Sequence, residues 1–298
     1  VASLVVSGGV IGLWVLRMLV VERKLQLRPA PMNTPMRGFI VVAIITLFWG
    51  IAFRDSWVVP WGTFFIVQVA SLVVMILLPC VLLLVGNCIR DIRWFKIIVG
   101  LVLVTGVAGL AHHLFKLPIE VNVLGIFPMW AAAIPYALAL FDRKLHRWQR
   151  LLLLLLTAGW IYYGYFQRVT WLAAWVPTFA ALAVVSVMRY RWAIIVVLIA
   201  FVIVGWQYVQ DNYEGEVAES GRTRLAAWAQ NWEVTGKHLL FGTGPAGYAA
   251  YYMTYFPTSA MATHSNYIDI LSQTGIFGLL FCLWLFGALL WQGYRLCA

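Results

Sequence analysis

About nine uninterrupted apolar runs dominate this 298-residue chain, near 1–17, 38–53, 62–86, 97–115, 122–141, 151–167, 170–188, 192–209 and 264–292. A helix needs about twenty apolar residues to cross a bilayer, and inside hydrocarbon only helices and closed barrels satisfy their backbone polar groups. The runs are continuously apolar, whereas barrel strands alternate, so a barrel is excluded. The expected fold is all-α: a polytopic transmembrane helical bundle of about nine spans. Residues 1–298 are expected to form a single transmembrane domain. The run at 38–53 is short and is expected to extend toward Trp57 or to be distorted. Because the chain opens with Val1 inside an apolar run and stops just after the last span, both ends are expected to be truncated.

Composition agrees with this reading. Charged residues make up 11% and the mean hydropathy is +0.87, whereas soluble domains carry roughly a quarter charged residues. The 16 Trp and 13 Tyr suit repeated crossing of membrane–water interfaces, where amphipathic rings settle. Of the 21 Lys and Arg, fifteen fall on one set of alternate loops. Only Arg54, Lys116, Arg168, Arg222, Arg224 and Lys237 fall on the other. Basic residues favour cytoplasmic loops, so segment 210–263 is expected outside the cytoplasm. The net charge of +10 is a topology signal rather than a nucleic-acid footprint, since the basic residues sit in short turns and form no contiguous patch. The four cysteines show no Cys-x-x-Cys spacing, which points to neither a zinc site nor a disulfide framework.

Most connections are short, but 210–263 is long and rich in aromatic residues, which marks it as a functional cap. Ser220 can cap a helix running to about Val234, with Gly236 ending it. Its Leu225, Trp228, Ala229 and Trp232 recur at helical spacing as an apolar stripe for the membrane surface or the bundle. Gly242-Thr243-Gly244-Pro245 forces a tight turn, and Gly247 to Tyr255 suits a second short helix. The Gly-Thr-Gly turn is no P-loop, because the Gly-Lys-Ser/Thr end is missing.

Several residues carry candidate chemistry. His264 stands at the entrance of the last span; it is either an interfacial histidine or a group that orients or deprotonates a hydroxyl. Ser265, Asp269 and Ser272 follow it as a polar stripe, with Asp269 expected a turn or more inside the membrane. There a carboxylate is either functional or paired to an arginine of a neighbouring span. Arg168 interrupts the apolar stretch between the sixth and seventh spans, as a snorkelling turn residue or as a clamp on phosphate. Arg222 and Arg224 run against the charge bias, although an exposed face paired with Glu216 or Glu219 is the plainer account. Tyr248, Tyr251, Tyr252 and Tyr255 read first as an interfacial belt and second as a platform for sugar rings. Gly275 and Gly278 read as helix-packing glycines. His112-His113 reads as mostly interfacial, with no carboxylate partner at metal spacing.

Taken together these segments resemble the O-antigen ligase and polymerase superfamily of bacterial envelope proteins. That family shows His followed by Asn, Ser or Gln, nine residues, then Gly-x-x-Gly; His264-Ser265, Asn266 to Thr274 and Gly275-Ile-Phe-Gly278 match it. Arg224-Leu-Ala-Ala-Trp228 and Leu239-Leu-Phe-Gly242-Thr-Gly244 resemble its Arg-x-x-x-Trp and Gly-x-Gly elements, with His238-Leu where His/Asn-Pro-Leu is usual. Gln167-Arg168 stands where the family has Ser-Arg, so that correspondence is weaker.

The resemblance implies a C-type (GT-C-like) integral-membrane glycosyltransferase with a helical external cap, acting on the outer face of the bacterial cytoplasmic membrane. The implied donor is a glycan on undecaprenyl pyrophosphate. The implied acceptor is a lipid A-core sugar in ligases and a growing glycan in polymerases, and related enzymes glycosylate proteins. The expected roles are His264 on the acceptor hydroxyl, Arg168 and Arg224 with Arg222 on the pyrophosphate, and Asp269, Ser265, Tyr248 and Tyr252 in support. Neither a metal nor another cofactor is expected, and the partners are the two glycan substrates and the bilayer. A transporter is the rival from another class; it predicts several mid-membrane ionisable groups and paired broken helices.

Overall fold

The structure, a computed structural model, describes residues 2–24, 27–89, 91–118, 126–167, 172–212, 218–258 and 263–297. Among these there is no strand. The helices are α1 (Ala2–Leu16), α2 (Asn33–Ala52), α3 (Phe64–Cys88), α4 (Ile92–Phe115), α5 (Phe127–Phe141), α6 (Arg147–Tyr162), α7 (Leu172–Arg189), α8 (Ala193–Asn212), α9 (Ala218–Thr235), α10 (Gly247–Tyr255) and α11 (Asn266–Cys297). Each of the nine apolar runs carries one helix, and the cap segment supplies α9 and α10. Among the described residues, α2, α3, α4 and α11 are long and apolar enough to cross a membrane. Shorter apolar helices span Val5–Val21, Phe127–Phe141 and Trp175–Arg189. Large apolar side chains such as Val5, Leu13, Leu78, Leu101, Ile195 and Leu290 stand outward on these helices. Soluble proteins rarely present apolar surface on that scale, and the fold is that of a helical membrane protein.

The short second run lengthens on the side opposite to expectation. Its helix begins at Asn33 and stops at Ala52, short of Trp57. Pro35 falls in its first turn, where a missing N–H costs nothing.

The helices divide into two compact units. One comprises Asp91–Val217, and its centre is Ala131, Ala132, Leu156, Trp160 and Tyr163. The Trp160 indole donates to the Gly106 carbonyl at 3.2 Å, and Thr157 donates to Ala132 O. His113, in the last turn of α4, stacks on Tyr163 with ring centres 4.4 Å apart. A flat imidazole fills the same space as another aromatic ring, and here it packs as one.

The other unit comprises Val1–Arg90 and Ala218–Ala298, and it holds the cap together with α11. Val58, Phe64, Val234, Ala250 and Tyr251 form a small buried cluster joining the α2–α3 connection to α9 and α10. The Val and Phe side chains among them contribute about 1.5–3 kcal/mol each when fully buried. α2 packs closely on α11 because Gly38 leaves room for the Phe281 ring, which a methyl group would overlap.

Candidate functional site

The site is built where α9, α10 and the start of α11 meet. α9 begins at Ala218, two residues before the expected cap, and α10 spans Gly247–Tyr255 as its sequence suggested. The face that α9 buries carries Ala227, Asn231, Val234 and Thr235. The expected stripe faces away from the protein instead: Leu225 is 63% and Trp232 57% exposed, which leaves the bundle out as its partner.

Trp228 alone of that stripe reaches inward. Its indole N–H donates to the Thr263 carbonyl at 2.7 Å. The Thr263 hydroxyl donates to Asp269 Oδ1, and the Ser265 N–H reaches the same hydroxyl oxygen at 3.4 Å. Asp269 N–H donates to Ser265 O at 2.9 Å. Thr263 is thus held from both sides, and it is buried.

His264 follows directly, with φ of 51° and an exposed side chain. A left-handed conformation costs a residue with a Cβ about 1–2 kcal/mol. Such strain persists where the surroundings over-determine it, and here the two neighbours of His264 are pinned. The backbone turns outward at this point and presents the imidazole.

Asp269 does not lie deep in the span. It sits in the first turn of α11, where the helix dipole favours a carboxylate. Its partner is the Thr263 hydroxyl, and among the described residues it makes no ion pair with an arginine. Ser272 completes the polar stripe facing inward, fully buried, with its hydroxyl on Asp269 O.

Two of the four α10 tyrosines form cap core, while Tyr248 is half-buried and Tyr255 exposed. Tyr251 and Tyr252 are buried, and Tyr252 Oη donates to Ala227 O at 3.3 Å. Tyr248 packs edge-on against Tyr252, ring centres 5.3 Å apart. Burial chiefly, with the Asp269 charge and Tyr252 adding to it, raises the Tyr248 phenol above its ordinary range. Burial also raises Tyr252, with the Asn231 side chain opposing and the Asp269 charge reinforcing. Both stay neutral donors at physiological pH.

Below this cluster α11 is broken. Gly275 adopts φ 66° and ψ −168° inside the helix, which frees backbone groups that hydrocarbon cannot satisfy. The Leu239–Gly244 loop supplies their partners. Thr243 N and Oγ1 donate to Ser272 O at 2.8 and 2.9 Å, Gly244 N donates to Gln273 O at 3.1 Å, and Ile276 N donates to Leu239 O at 2.8 Å. A Cβ on Gly242 would lie 2.6 Å from the Gln273 carbonyl carbon, and one on Gly275 would overlap the Leu240 carbonyl. Gly-x-Gly and Gly-x-x-Gly are therefore two halves of one backbone contact. Close approach was expected of Gly275; its positive φ and the break it makes were not.

Helix periodicity separates the two cap arginines. Arg224 lies one turn before Trp228 and within about 20° of Asn231 around the α9 axis, on the same side of the helix but exposed. Arg222 lies roughly 160° away from Arg224, on the opposite side. Arg168 falls outside the described residues.

Two residues were given no role from sequence: Asp55, in the α2–α3 connection, and His238, just after α9, which was noted only as part of the Gly-x-Gly element. His238 Nε2 lies 3.3 Å from Asp55 Oδ1 with its side chain 10% exposed. The contact is within ion-pair distance but is not aligned as a hydrogen bond. Tyr255 Oη donates to Asp55 Oδ2 at 3.2 Å, and the Asp55 N–H donates to Tyr251 Oη at 3.2 Å. Beside them a cleft lined by Asp55, Glu233, Lys237, Tyr251, Tyr255 and Phe256 has room of about 20 Å³, enough for a water molecule. The available signal was a lone carboxylate in a short apolar-flanked connection and a histidine heading Leu-Leu-Phe-Gly.

These features define a helical membrane protein whose cap pins an exposed histidine at the head of a broken helix. Residues 151–283 match the family model described as O-antigen ligase. Over those residues the chain is similar to the O-antigen ligase family, and the match supports the resemblance read from its motifs. No curated protein and no solved structure matches the chain.

Proposed function

We propose that this protein transfers a glycan from undecaprenyl pyrophosphate to an acceptor hydroxyl at the outer face of the cytoplasmic membrane, as an O-antigen ligase of GT-C type with about nine spans. The observation that carries the reading is the 2.7 Å bond from Trp228 to the carbonyl preceding His264. It fastens the helix that carries Arg224 to the turn that carries His264, which supports a shared role for the two.

The reaction is a direct displacement with inversion. The acceptor oxygen attacks the anomeric carbon while His264 orients the hydroxyl and takes its proton. The bond from that carbon to the phosphate oxygen breaks, and the electron pair leaves with the lipid diphosphate. Arg224 and Arg168 hold the charge that develops there, the part a divalent ion plays in other phosphate-leaving reactions. Arg222, on the far side of α9, adds field rather than contact. Tyr248 and Ser265 line the approach, the buried Tyr252 supports Tyr248 edge-on, and Asp269 holds the Thr263 turn that sets His264. The same chemistry serves a lipid A-core sugar, a growing glycan or a protein hydroxyl; the ligase acceptor is the one proposed.

The test is transfer from an undecaprenyl-linked oligosaccharide by purified protein in detergent with chelator present. His264→Ala and Arg224→Ala are each expected to lose at least about 100-fold in rate with membrane insertion intact. A fully active His264→Ala protein removes the assignment.

A further inference from the structure

We infer that Asp55 and His238 are positioning residues for the His264 site, acting through the loop that fills the α11 break; this rests on the glycosyl-transfer reading above. The Asp55 carboxylate gathers His238 from the end of α9 and Tyr255 from α10, while its backbone N–H holds Tyr251. The His238 ring stands edge-on to Tyr251, centres 5.1 Å apart, which leaves the imidazole little freedom. The other charged groups around it are turned elsewhere: Lys237 Nζ lies over the Tyr255 ring at 5.8 Å and Arg54 over Phe64 at 5.8 Å, with Glu233 across the cleft.

From His238 a series of hydrogen bonds, joined by the chain itself, leads to the α11 break. Its carbonyl accepts from Gly242 N at 2.8 Å, which closes the turn, and the next carbonyl, Leu239 O, accepts from Ile276 N beyond the break. Thr243 and Gly244 hold the Ser272 and Gln273 carbonyls before the break. The Ser272 hydroxyl donates to Asp269 O, and the Asp269 carboxylate holds Thr263 next to His264. Gly242, Thr243, Gly244, Ser272 and Thr263 along this route are buried, so a shift at His238 is carried toward the histidine by groups that water does not reach. The pair touches no reacting atom; it sets where His264 stands.

The test uses the full chain in detergent with two readouts, hydrogen exchange by mass spectrometry and steady-state transfer. Asp55→Ala and His238→Ala are each expected to speed exchange about tenfold at residues 239–244 and 272–276, the double variant no further than the faster single. Transfer is expected to fall about tenfold in kcat with donor KM unchanged. Tyr255→Phe, which removes only a partly exposed hydroxyl from Asp55, is expected to give a smaller change in the same peptides. Unchanged exchange there, or acceleration spread evenly over α2, α3 and α11, overturns the inference. If wild-type protein shows no transfer while the local acceleration appears, the glycosyl-transfer reading fails and the positioning of the turn stands.

Discussion

At the scale of single residues, backbone conformation decides more than side-chain chemistry. His264 is left-handed because Thr263 and Ser265 leave it no other path, and Gly275 is left-handed because α11 must open to admit the Leu239–Gly244 loop. The two glycines of Gly-x-x-Gly have different duties: a Cβ on Gly278 would meet the Thr274 side chain of its own helix, while one on Gly275 would meet backbone. A side chain can turn aside, and a carbonyl held by a hydrogen bond cannot. Gly275→Ala is therefore expected to lose about 2–5 kcal/mol, from the left-handed penalty together with overpacking. Gly287, whose added Cβ would meet nothing within 4 Å, is the control in the same helix. Thermal unfolding of the two purified variants should separate them, Gly287→Ala unfolding with wild type and Gly275→Ala well below it.

At the scale of elements, α9 gives the four-residue spacing of Arg224 and Trp228 its meaning. One turn of helix sets the guanidinium and the indole on the same side, and the indole N–H fastens that side to the turn carrying His264. Trp228→Phe keeps the ring and removes the donor. It is expected to lower transfer about tenfold with unfolding unchanged within about 1 kcal/mol, the net worth of one such bond; equal rates for Trp228→Phe and wild type would detach α9 from the mechanism. The helix itself was legible in the sequence, and so was α10. The buried face was not. Large apolar residues at helical spacing mark the core side of a soluble helix, whereas helices of membrane proteins pack through small and polar residues. Ala227, Asn231 and Thr235 pack here, and Leu225 and Trp232 face out. The Asp55–His238 pair was illegible for another reason: its members lie on distant parts of the chain, and neither belongs to a periodic pattern.

At the scale of the whole molecule, α9 and α10 were read from caps and turns, and the apolar runs located the other nine α-helices described, because an apolar run satisfies its backbone in hydrocarbon as helix. They did not locate the α11 break, since glycine within an apolar run looks the same whether it packs or opens a helix. Sidedness rests on a different signal, the fifteen basic residues on one set of loops against six on the other. A lipid-linked glycan is reached only if α10 and His264 stand on the outer side, so the proposed function requires that orientation. Single cysteines in a chain cleared of its native ones test it: Met253→Cys on exposed α10 and Lys144→Cys on the exposed α5–α6 turn. A membrane-impermeant maleimide applied to intact spheroplasts is expected to label Met253→Cys at once and Lys144→Cys only after lysis. The reverse pattern would put the imidazole on the cytoplasmic side, where the charge bias would have been misread and a donor presented at the outer face could not reach it.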